Sequence, residues 1–120
     1  MTFPFLSIII PAFNEERRLP RTLEQVFSFL AQQSYNAEVL VVENGSSDNT
    51  LQVARQFAET HRNLRVFSEK NPGKGNAVRR GMLEAKGQYR FMCDVDLSMP
   101  IEELSNFIPT AGQSLDIAIA

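Results

Sequence analysis

The 120-residue chain contains one cysteine, one histidine and no tryptophan. A single cysteine excludes a disulfide within the chain, and it makes a reducing compartment the simplest expectation. Cys93 lies in an apolar run, so we interpret it as a small buried hydrophobe. One cysteine and one histidine, His61, are too few for a Cys/His zinc site.

The sequence also lacks long apolar runs, internal repeats and a strong excess of either charge. No apolar run approaches the roughly 20 residues of a membrane-spanning helix. The formal net charge is -2, which does not favour general attraction to nucleic acid. The hydrophobic content of 43% is typical of a globular protein, and the length suits one domain with a core.

Strand-like and helix-like segments alternate along the whole chain. Short apolar, β-branched runs predict strands at Leu6–Ile10, Glu38–Val42, Leu64–Phe67 and Arg90–Cys93, and in the segment LDIAIA at 115–120. Apolar residues at helical spacing predict four helices, which begin near Leu19, Leu51, Ala77 and Ile101. This order predicts an α/β fold with a parallel sheet and right-handed crossovers.

The helix ends carry their own signals. Pro20 is tolerated only in the first turn of the first helix. Ser47 or Asp48 is a candidate N-cap of the second helix, and Gly87 a candidate stop for the third. The fourth helix is predicted from Ile101, Leu104 and Ile108, and opens near Pro100.

Each of the first four predicted strands is followed by a segment that contains a carboxylate. In open parallel sheets, ligands bind beyond the carboxyl ends of the strands. The four segments therefore converge on one candidate ligand-binding edge. They are Pro11–Glu15, Glu43–Ser46, Ser68–Asn71 and Asp94–Asp96.

Asp94 and Asp96 end the fourth predicted strand. Residues i and i+2 of an extended segment point to the same side, roughly 6.6 Å apart at about 3.3 Å per residue. Two such carboxylates repel each other unless a cation is near, and Mg²⁺ or Mn²⁺ could hold a diphosphate against them. The alternative is an acidic turn that caps the next helix.

The segment NPGKGNAVRRG, residues 71–81, is the second candidate site. Gly73 and Gly75 relax the backbone, and Lys74 places a cation where a helix N-terminus favours anions. The segment is not a P-loop, because Lys74 is followed by glycine rather than serine or threonine. A plain glycine-rich turn is the alternative.

The remaining polar residues at this edge allow two interpretations each. Asn14 and Glu15 either bind a sugar or base, or cap the first helix. Glu43 is the residue of its segment that we expect to face the cleft. The arginine cluster Arg17, Arg18 and Arg21 is either a solvated face or a contact to membrane headgroups.

Four motifs in this order resemble the GT-A-type family 2 glycosyltransferases, over about residues 5–120. They are SIIIPAFNEE, VLVVENGSSDNT, NPGKGNAVRRGM and DVDLSMP. The last two are most similar to the branch that transfers sugars to polyprenyl or dolichyl phosphate. The resemblance implies the Rossmann-like, nucleotide-binding half of a GT-A fold, covering residues 1–120 as a single domain.

The resemblance also implies roles for individual residues. Pro11, Asn14 and Glu15 would line the nucleoside pocket, and Glu43 would contact the base or ribose. The family usually has a second acid after that position, where this chain has Asn44. Lys74 and Gly75 would border the nucleotide. Asp94 and Asp96 match the D-x-D motif, with Asp96 the direct ligand of a Mg²⁺ or Mn²⁺ ion and Asp94 mainly contacting the nucleoside.

The implied activity is inverting, metal-assisted sugar transfer from a UDP- or GDP-sugar to a lipid phosphate at a membrane surface. This function implies a cytoplasmic location or the cytoplasmic face of a membrane. A nucleotide-binding module without transfer activity is the alternative. A nucleotidyltransferase would show a glycine-rich, basic loop after the first strand, and PAFNEE is not one.

The last predicted strand coincides with the end of the chain, so we expect a C-terminally truncated domain. In the family, the acceptor-side acid and the rest of the acceptor site lie at positions beyond Ala120, and the catalytic residues are therefore unknown. We expect the 120 residues alone to be inactive. Because an exposed sheet edge and apolar patch favour pairing between chains, we also expect a homodimer.

Overall fold

The computed structural model describes residues 3–96, 100–106 and 117–119. Within these residues, strands and helices alternate as predicted. The strands are β1 (Leu6–Ala12), β2 (Ala37–Glu43), β3 (Leu64–Ser68), β4 (Tyr89–Met92) and β5 (Ile117–Ile119). The α-helices are α1 (Leu19–Ala31), α2 (Thr50–Thr60) and α3 (Lys74–Glu84), and a 3₁₀ helix spans Ile101–Asn106.

The strands form one parallel sheet in the order β3-β2-β1-β4-β5. All seven residues of β1 are buried, and so are six of the seven in β2. These two strands have neighbours on both edges and helices on both faces, which explains their near-continuous apolar sequence. The predicted α/β class with a parallel sheet is confirmed.

The helices divide between the two faces of the sheet. On one face, α1, α2 and the 3₁₀ helix pack on Ile8, Ile10, Val39 and Val41, all fully buried. On the other face, α3 packs on Ile9, Leu40 and Val42. Alternate residues of each strand therefore serve two separate cores, and together they fix the sheet and its carboxyl edge as one frame.

Helix α1 follows the sequence prediction closely, whereas the N-cap of α2 lies one or two residues after the predicted candidates. Pro20 lies in the first turn of α1. The N-cap position of α2 is Asn49 rather than Ser47 or Asp48, and Asn49 makes no capping hydrogen bond with its side chain. Asp48 still satisfies the helix start, because its Oδ1 accepts a hydrogen bond from the Thr50 N–H at 3.0 Å.

Gly87 does not end α3, which stops three residues earlier with Ala85 as its C-cap. The reason for glycine at 87 is a close approach to β1. A Cβ atom there would lie 2.4 Å from Oγ and 2.6 Å from N of Ser7. The Gly87 N–H donates to that Ser7 Oγ at 2.8 Å.

The end of the chain is described only in part. The predicted fourth helix is a 3₁₀ helix over Ile101–Asn106, with Ile101 and Leu104 buried. Ile108 lies outside the described residues. Of the predicted strand 115–120, residues 117–119 form β5 beside β4. The expected truncation and dimer stay predictions.

The amino edge of the sheet, on the α3 face, holds a closed polar network. Glu38 Oε2 accepts hydrogen bonds from Ser7 Oγ and from the N–H of Lys86, both at 2.6 Å. Its Oε1 accepts from Arg65 Nε at 3.0 Å. Arg65 Nη2 also donates to the Glu84 carbonyl at 2.6 Å. The network ties the end of α3 to β1, β2 and β3.

Candidate functional site

A cavity of about 280 Å³ opens at the carboxyl edge of the sheet, between the loops after β1, β2 and β4 and the start of α3. This is the edge at which the sequence predicts a ligand. The residues that line the cavity are Pro11, Ala12, Phe13, Glu15, Asn44, Lys74, Ala77, Asp94 and Asp96. Five of the predicted site residues are among them: Pro11, Glu15, Lys74, Asp94 and Asp96.

Asp94 and Asp96 both line this cavity, as their spacing predicts. The residue between them, Val95, is 4% exposed and belongs to the core on the α1 face. Asp96 lies in a turn rather than in an extended strand. The Thr22 hydroxyl of α1 donates a hydrogen bond to the Val95 carbonyl. This bond and the burial of Val95 fix the turn that presents the two carboxylates.

Lys74 is the first residue of α3, and its Nζ forms an ion pair with Asp94 Oδ1. The two side chains are 58% and 32% exposed, so solvent screens the pair. A pair of this kind exchanges partners at little cost when a stronger anion arrives. The N-terminus of α3 adds a partial positive charge beside Lys74.

Glu15 holds Arg18 rather than capping α1. Arg18 Nη2 lies 2.6 Å and 2.9 Å from the two carboxylate oxygens of Glu15, and Nε lies 3.1 Å from one of them. The hydrogen bond and charge of Glu15 raise the pKa of Arg18, and the charge of Asp96 adds to this shift. Arg18 is thus close enough to Asp96 for the two charges to interact.

Asn14 does not line the cavity, although the sequence makes it a candidate. Its φ angle is +53°, a left-handed conformation that asparagine tolerates better than most residues. Its Oδ1 accepts a hydrogen bond from the Ser47 N–H at 2.9 Å, and its own N–H donates to Ser46 Oγ at 2.9 Å. Asn14 therefore ties the loop after β1 to the loop after β2, and it makes no side-chain cap for α1.

Glu43 does not face the cavity as expected, because it is 3% exposed and turns into its own loop. Its Oε2 accepts a hydrogen bond from the Ser46 N–H, and its Oε1 accepts one from Ser68 Oγ at 3.1 Å. In this geometry the carboxylate holds the loop after β2 against the end of β3.

Asn44 is the residue that the sequence interpretation missed. Its Nδ2 donates to the carbonyls of Glu69 and Asn71, at 3.1 and 2.8 Å, and its Oδ1 accepts from the Gly73 N–H at 2.8 Å. It lines the cavity and fixes the loop that carries Lys74. The sequence signal for this role is the residue type: an asparagine amide can donate and accept hydrogen bonds at once, whereas an ionised carboxylate only accepts them.

The two glycines beside Lys74 differ in conformation. Gly73 has φ +112°, which side chains rarely adopt, and its N–H is held by Asn44. Gly75 lies inside α3 and does not line the cavity. The backbone freedom expected of both glycines is used only at Gly73.

Cys93 is buried directly before the two aspartates. Burial raises the pKa of its thiol to about 12, and the negative charges of Asp94 and Asp96 add to the rise. The thiol therefore stays protonated at neutral pH. This result confirms the interpretation of Cys93 as a small hydrophobe rather than a nucleophile.

Among the described residues, no group of three or more His, Cys, Asp or Glu side chains is placed to hold a metal ion. Asp94 and Asp96 could therefore hold a cation only with additional ligands. Over the same residues, no helix is long and apolar enough to cross a membrane.

The chain is similar to proteins that transfer sugars to lipid phosphates. It is 43% identical over 99 residues to a dolichyl-phosphate beta-glucosyltransferase of Drosophila melanogaster. The matched region covers 76% of this chain and 30% of that protein. It is 32% identical over 114 residues to an undecaprenyl-phosphate 4-deoxy-4-formamido-L-arabinose transferase of Photorhabdus laumondii. The matched region covers 93% of this chain and 35% of that protein. The chain thus spans about a third of the length of these relatives.

A solved structure of a mannosyltransferase from Pyrobaculum calidifontis, in complex with GDP-Man and Mn²⁺, matches with a TM-score of 0.67 and 28% identity. The match covers 80% of this chain and 28% of that one. The family model for glycosyl transferase family 2 matches residues 7–120. These residues include the sheet, the cavity at its carboxyl edge and both aspartates, and the chain accordingly belongs to glycosyl transferase family 2.

Proposed function

We propose that this chain is the donor-binding part of a glycosyltransferase that moves a sugar from a UDP- or GDP-sugar to a polyprenyl or dolichyl phosphate, with inversion. The observation that carries the proposal is the cavity in which Asp94, Asp96 and Lys74 meet at the carboxyl edge. Family membership and the relatives named above, which act on dolichyl and undecaprenyl phosphates, support it.

In the proposed complex, the nucleoside lies over the loop after β1. Pro11 and Glu15 line the cavity there, and Phe13 is 58% exposed at its rim, where its ring offers a face on which a base can stack. Asp94 contacts the nucleoside from the other side. Asn14 and Glu43 act mainly by holding the two loops in place, although a direct contact of Glu43 with the base or ribose remains part of the proposal.

The diphosphate lies beside Lys74 and the N-terminus of α3, with Gly75 bordering it. Because the ion pair between Lys74 and Asp94 is exposed, Lys74 can turn to a phosphate oxygen at little cost. The amide groups of the first turn favour an anion in the same place. Both features neutralise the charge that develops on the departing nucleoside diphosphate.

The donor set at this place suits a divalent cation. Asp94 and Asp96 supply hard carboxylate oxygens on one cavity, and Mg²⁺ or Mn²⁺ is commonly held by one or two carboxylates plus substrate phosphates. When bound, such an ion would stabilise the negative charge of the leaving diphosphate. Asp96 is the proposed direct ligand, with Asp94 second.

In the transfer step, an oxygen of the acceptor phosphate forms a bond to the anomeric carbon as the bond from that carbon to the diphosphate breaks. The electron pair leaves with the nucleoside diphosphate. A phosphate acceptor is already anionic, so no proton has to be removed from it. The acceptor is a membrane lipid, and the proposed location is the cytoplasm or the cytoplasmic face of a membrane.

Calorimetry with UDP and with GDP, in Mn²⁺ and after chelation, tests the donor half of this proposal. We expect weak binding of at least one of the two nucleotides, and only with the cation. Equal nucleotide affinity after chelation would show that the cation takes no part in nucleotide binding. Glu59 is an exposed residue of α2 that does not line the cavity, so Glu59→Gln should bind nucleotide and cation like wild type.

Transfer itself is tested with the full-length protein, labelled UDP- or GDP-sugars and a short prenyl phosphate. Formation of a prenyl phosphosugar supports the proposed reaction. Cation-dependent nucleotide binding with no transfer to any prenyl phosphate would instead favour a nucleotide-binding module.

A further inference from the structure

Helix α3 packs closely on β1 at Gly81, a buried residue near the C-terminal end of the helix. A Cβ atom at this position would lie 2.4 Å from Cγ2 and 3.1 Å from Cγ1 of Ile9. Ile9 is fully buried, and its β-branched side chain has little rotameric freedom. A Cβ at position 81 would have to move by about 1 Å, from 2.4 to at least 3.4 Å, to reach ordinary van der Waals contact. A side chain there would therefore push the helix away from the strand.

The same Ile9 also fixes the strand that leads to the aspartates. It lies opposite Met92 of the parallel neighbour β4. Its carbonyl accepts a hydrogen bond from the Cys93 N–H at 2.8 Å, and Asp94 is the next residue. The helix that carries Lys74 and the strand end that carries Asp94 are thus both placed against one point of β1.

The C-terminal end of α3 is held by arginines of two strands. Arg90 Nη1 of β4 donates to the Met82 carbonyl at 2.8 Å. Arg65 Nη2 of β3 donates to the Glu84 carbonyl at 2.6 Å. Both carbonyls lie just after Gly81 in the helix, so these bonds resist a displacement of this end of α3.

The N-terminal end of α3 lies at the donor cavity. Ala77, about one turn before Gly81, is fully buried and lines that cavity. Lys74 lies about two turns before Gly81, which is about 10 Å along the helix axis at about 1.5 Å per residue. A helix that is pushed at Gly81 and held at its C-terminal end tilts. The tilt moves Lys74 relative to the D-x-D turn.

We propose that Gly81 is a positioning residue for the donor diphosphate, because its contact with Ile9 fixes where α3 places Lys74 relative to Asp94. The role of the diphosphate rests on the proposed function, whereas the placement of Lys74 does not depend on it. A misplacement of about 1 Å caused by a distant residue can cost about 100-fold in an oriented reaction. Glycine at position 81 is thus required by the site as well as by the core.

The first test compares the affinities of the full-length protein and its Gly81→Ala variant for UDP and GDP in Mn²⁺. For the nucleotide that wild type binds, we expect at least about tenfold weaker binding by the variant. Adding Gly81→Ala to Lys74→Gln should cost less than about a further twofold, because the glycine acts through the lysine. The control is Val39→Ala, which removes core volume on the other face of the sheet. It should lower the denaturant midpoint but keep nucleotide affinity within about twofold.

A rescue variant separates crowding at the contact from general unfolding. Ile9→Ala removes both atoms that a Cβ at position 81 would meet. Gly81→Ala/Ile9→Ala should therefore bind nucleotide within about threefold of Ile9→Ala alone, even where Gly81→Ala does not fold. A folded Gly81→Ala with wild-type affinity would overturn the proposal. A loss that persists in the double variant, or that is as large without Lys74, would overturn it as well.

The ion pair between Lys74 and Asp94 provides a readout that needs no ligand. In wild type, Asp94→Asn should shift the NMR signal of the Lys74 side chain, and in the Gly81→Ala background the shift should be markedly smaller. Equal shifts in both backgrounds would overturn the positioning role and leave the proposed function intact. If wild type binds neither UDP nor GDP, the proposed function is overturned, and the Lys74 signal still decides whether Gly81 positions the lysine.

Discussion

The two edges of the same parallel sheet use similar residues in opposite ways. At the amino edge, Glu38 is 6% exposed, and both of its oxygens accept hydrogen bonds from Ser7, Lys86 and Arg65. At the carboxyl edge, Lys74 and Asp94 form an ion pair that stays open to solvent. One edge is closed by its own side chains, and the other presents charge to a cavity.

The difference follows from where the loops lie. The amino edge is covered by the end of α3, whose backbone reaches Glu38 and Ser7 at Lys86 and Gly87. At the carboxyl edge, Asn44 and the burial of Val95 hold the loops in position, while the carboxylates of the D-x-D turn line the cavity. Charges of the amino edge therefore contribute to folding, and charges of the carboxyl edge are left for a ligand.

Breaking the amino edge should have the largest effect on stability. In Glu38→Ala, the buried Ser7 hydroxyl and the half-buried Arg65 guanidinium lose their acceptor, and we expect a loss of about 3 kcal/mol in the free energy of unfolding. Nucleotide affinity of the folded fraction should not change. Denaturant unfolding measures the loss, and Glu59→Ala on exposed α2 is the control. A change below about 0.5 kcal/mol, typical of surface substitutions, would contradict the closed network.

The same edge predicts a pH dependence. Burial alone would raise the pKa of Glu38, but hydrogen bonds from Ser7, the Lys86 N–H and Arg65 outweigh it, so the pKa lies below its ordinary value of 4.5. The stability from the carboxylate is present above 4.5 and is lost as the pH falls through the lowered folded-state pKa. Wild type should therefore exceed Glu38→Gln at neutral pH and approach it in acid. A stability difference that stays constant across this range would show that the charge is not involved.

Breaking the carboxyl edge should instead affect binding and spare the fold. In Asp96→Asn we expect a loss of at least about 10-fold in Mn²⁺ affinity at saturating nucleotide, because the proposed direct ligand is replaced by a neutral amide and even the loss of an outer-shell partner typically costs about 10- to 100-fold. Asp94→Asn should lose less, because Asp94 is assigned mainly to the nucleoside. Titration of Mn²⁺ against both variants decides the order. The assignment fails if Asp94→Asn shows the larger loss, or if both variants unfold more easily than wild type by several kcal/mol.

Asn44 combines the features of the two edges: it lines the ligand cavity, and its side-chain amide is fully hydrogen-bonded within the protein. An aspartate there cannot donate to the carbonyls of Glu69 and Asn71, and it places a negative charge against them. We expect Asn44→Asp to lose about 2 kcal/mol in unfolding free energy and to weaken nucleotide binding through the Lys74 loop. The control is Asn36→Asp, at an exposed position. Equal stability of the two variants would show that the amide is not essential.

Asn44 also shows where sequence reasoning succeeds and where it stops. Strand and helix order and the parallel sheet follow from periodicities of 3.6 and 2, because burial imposes them on the sequence. Asp94 and Asp96 line one cavity as predicted, but a turn after β4 brings them there rather than the strand period. Asn14 and Asn44 lie in loops, where no period fixes the direction of a side chain, and Glu43 is the last residue of β2. Asn14 and Asn44 turn to partners in other loops, and Glu43 turns to Ser68 at the end of β3, so only the assembled sheet brings these partners near.

The same limit applies to helix ends and glycines. Gly87 is explained by the approach of Ser7, which lies 80 residues away in the chain. Glycine at position 75 suggests a turn, but Gly75 lies in α3. The loop before α3 needs one left-handed residue, and Gly73 supplies it with a φ angle of +112°. Local propensity places such residues near an element boundary, and long-range contacts decide their role.

The smallest expected effect comes from the one bond that links α1 to the D-x-D turn. Thr22→Val keeps the shape of the side chain but removes the hydroxyl that donates to the buried Val95 carbonyl. We expect a loss of about 1 kcal/mol in unfolding free energy. We also expect a several-fold loss of Mn²⁺ affinity at saturating nucleotide, because Asp96 follows Val95 directly. Thr22→Ser, which keeps the hydroxyl, should restore the metal affinity more fully than the stability. If both variants bind Mn²⁺ like wild type, Thr22 stabilises the fold without positioning the Asp96 carboxylate. Residues that stabilise the fold and residues that bind the ligand would then be more distinct than proposed.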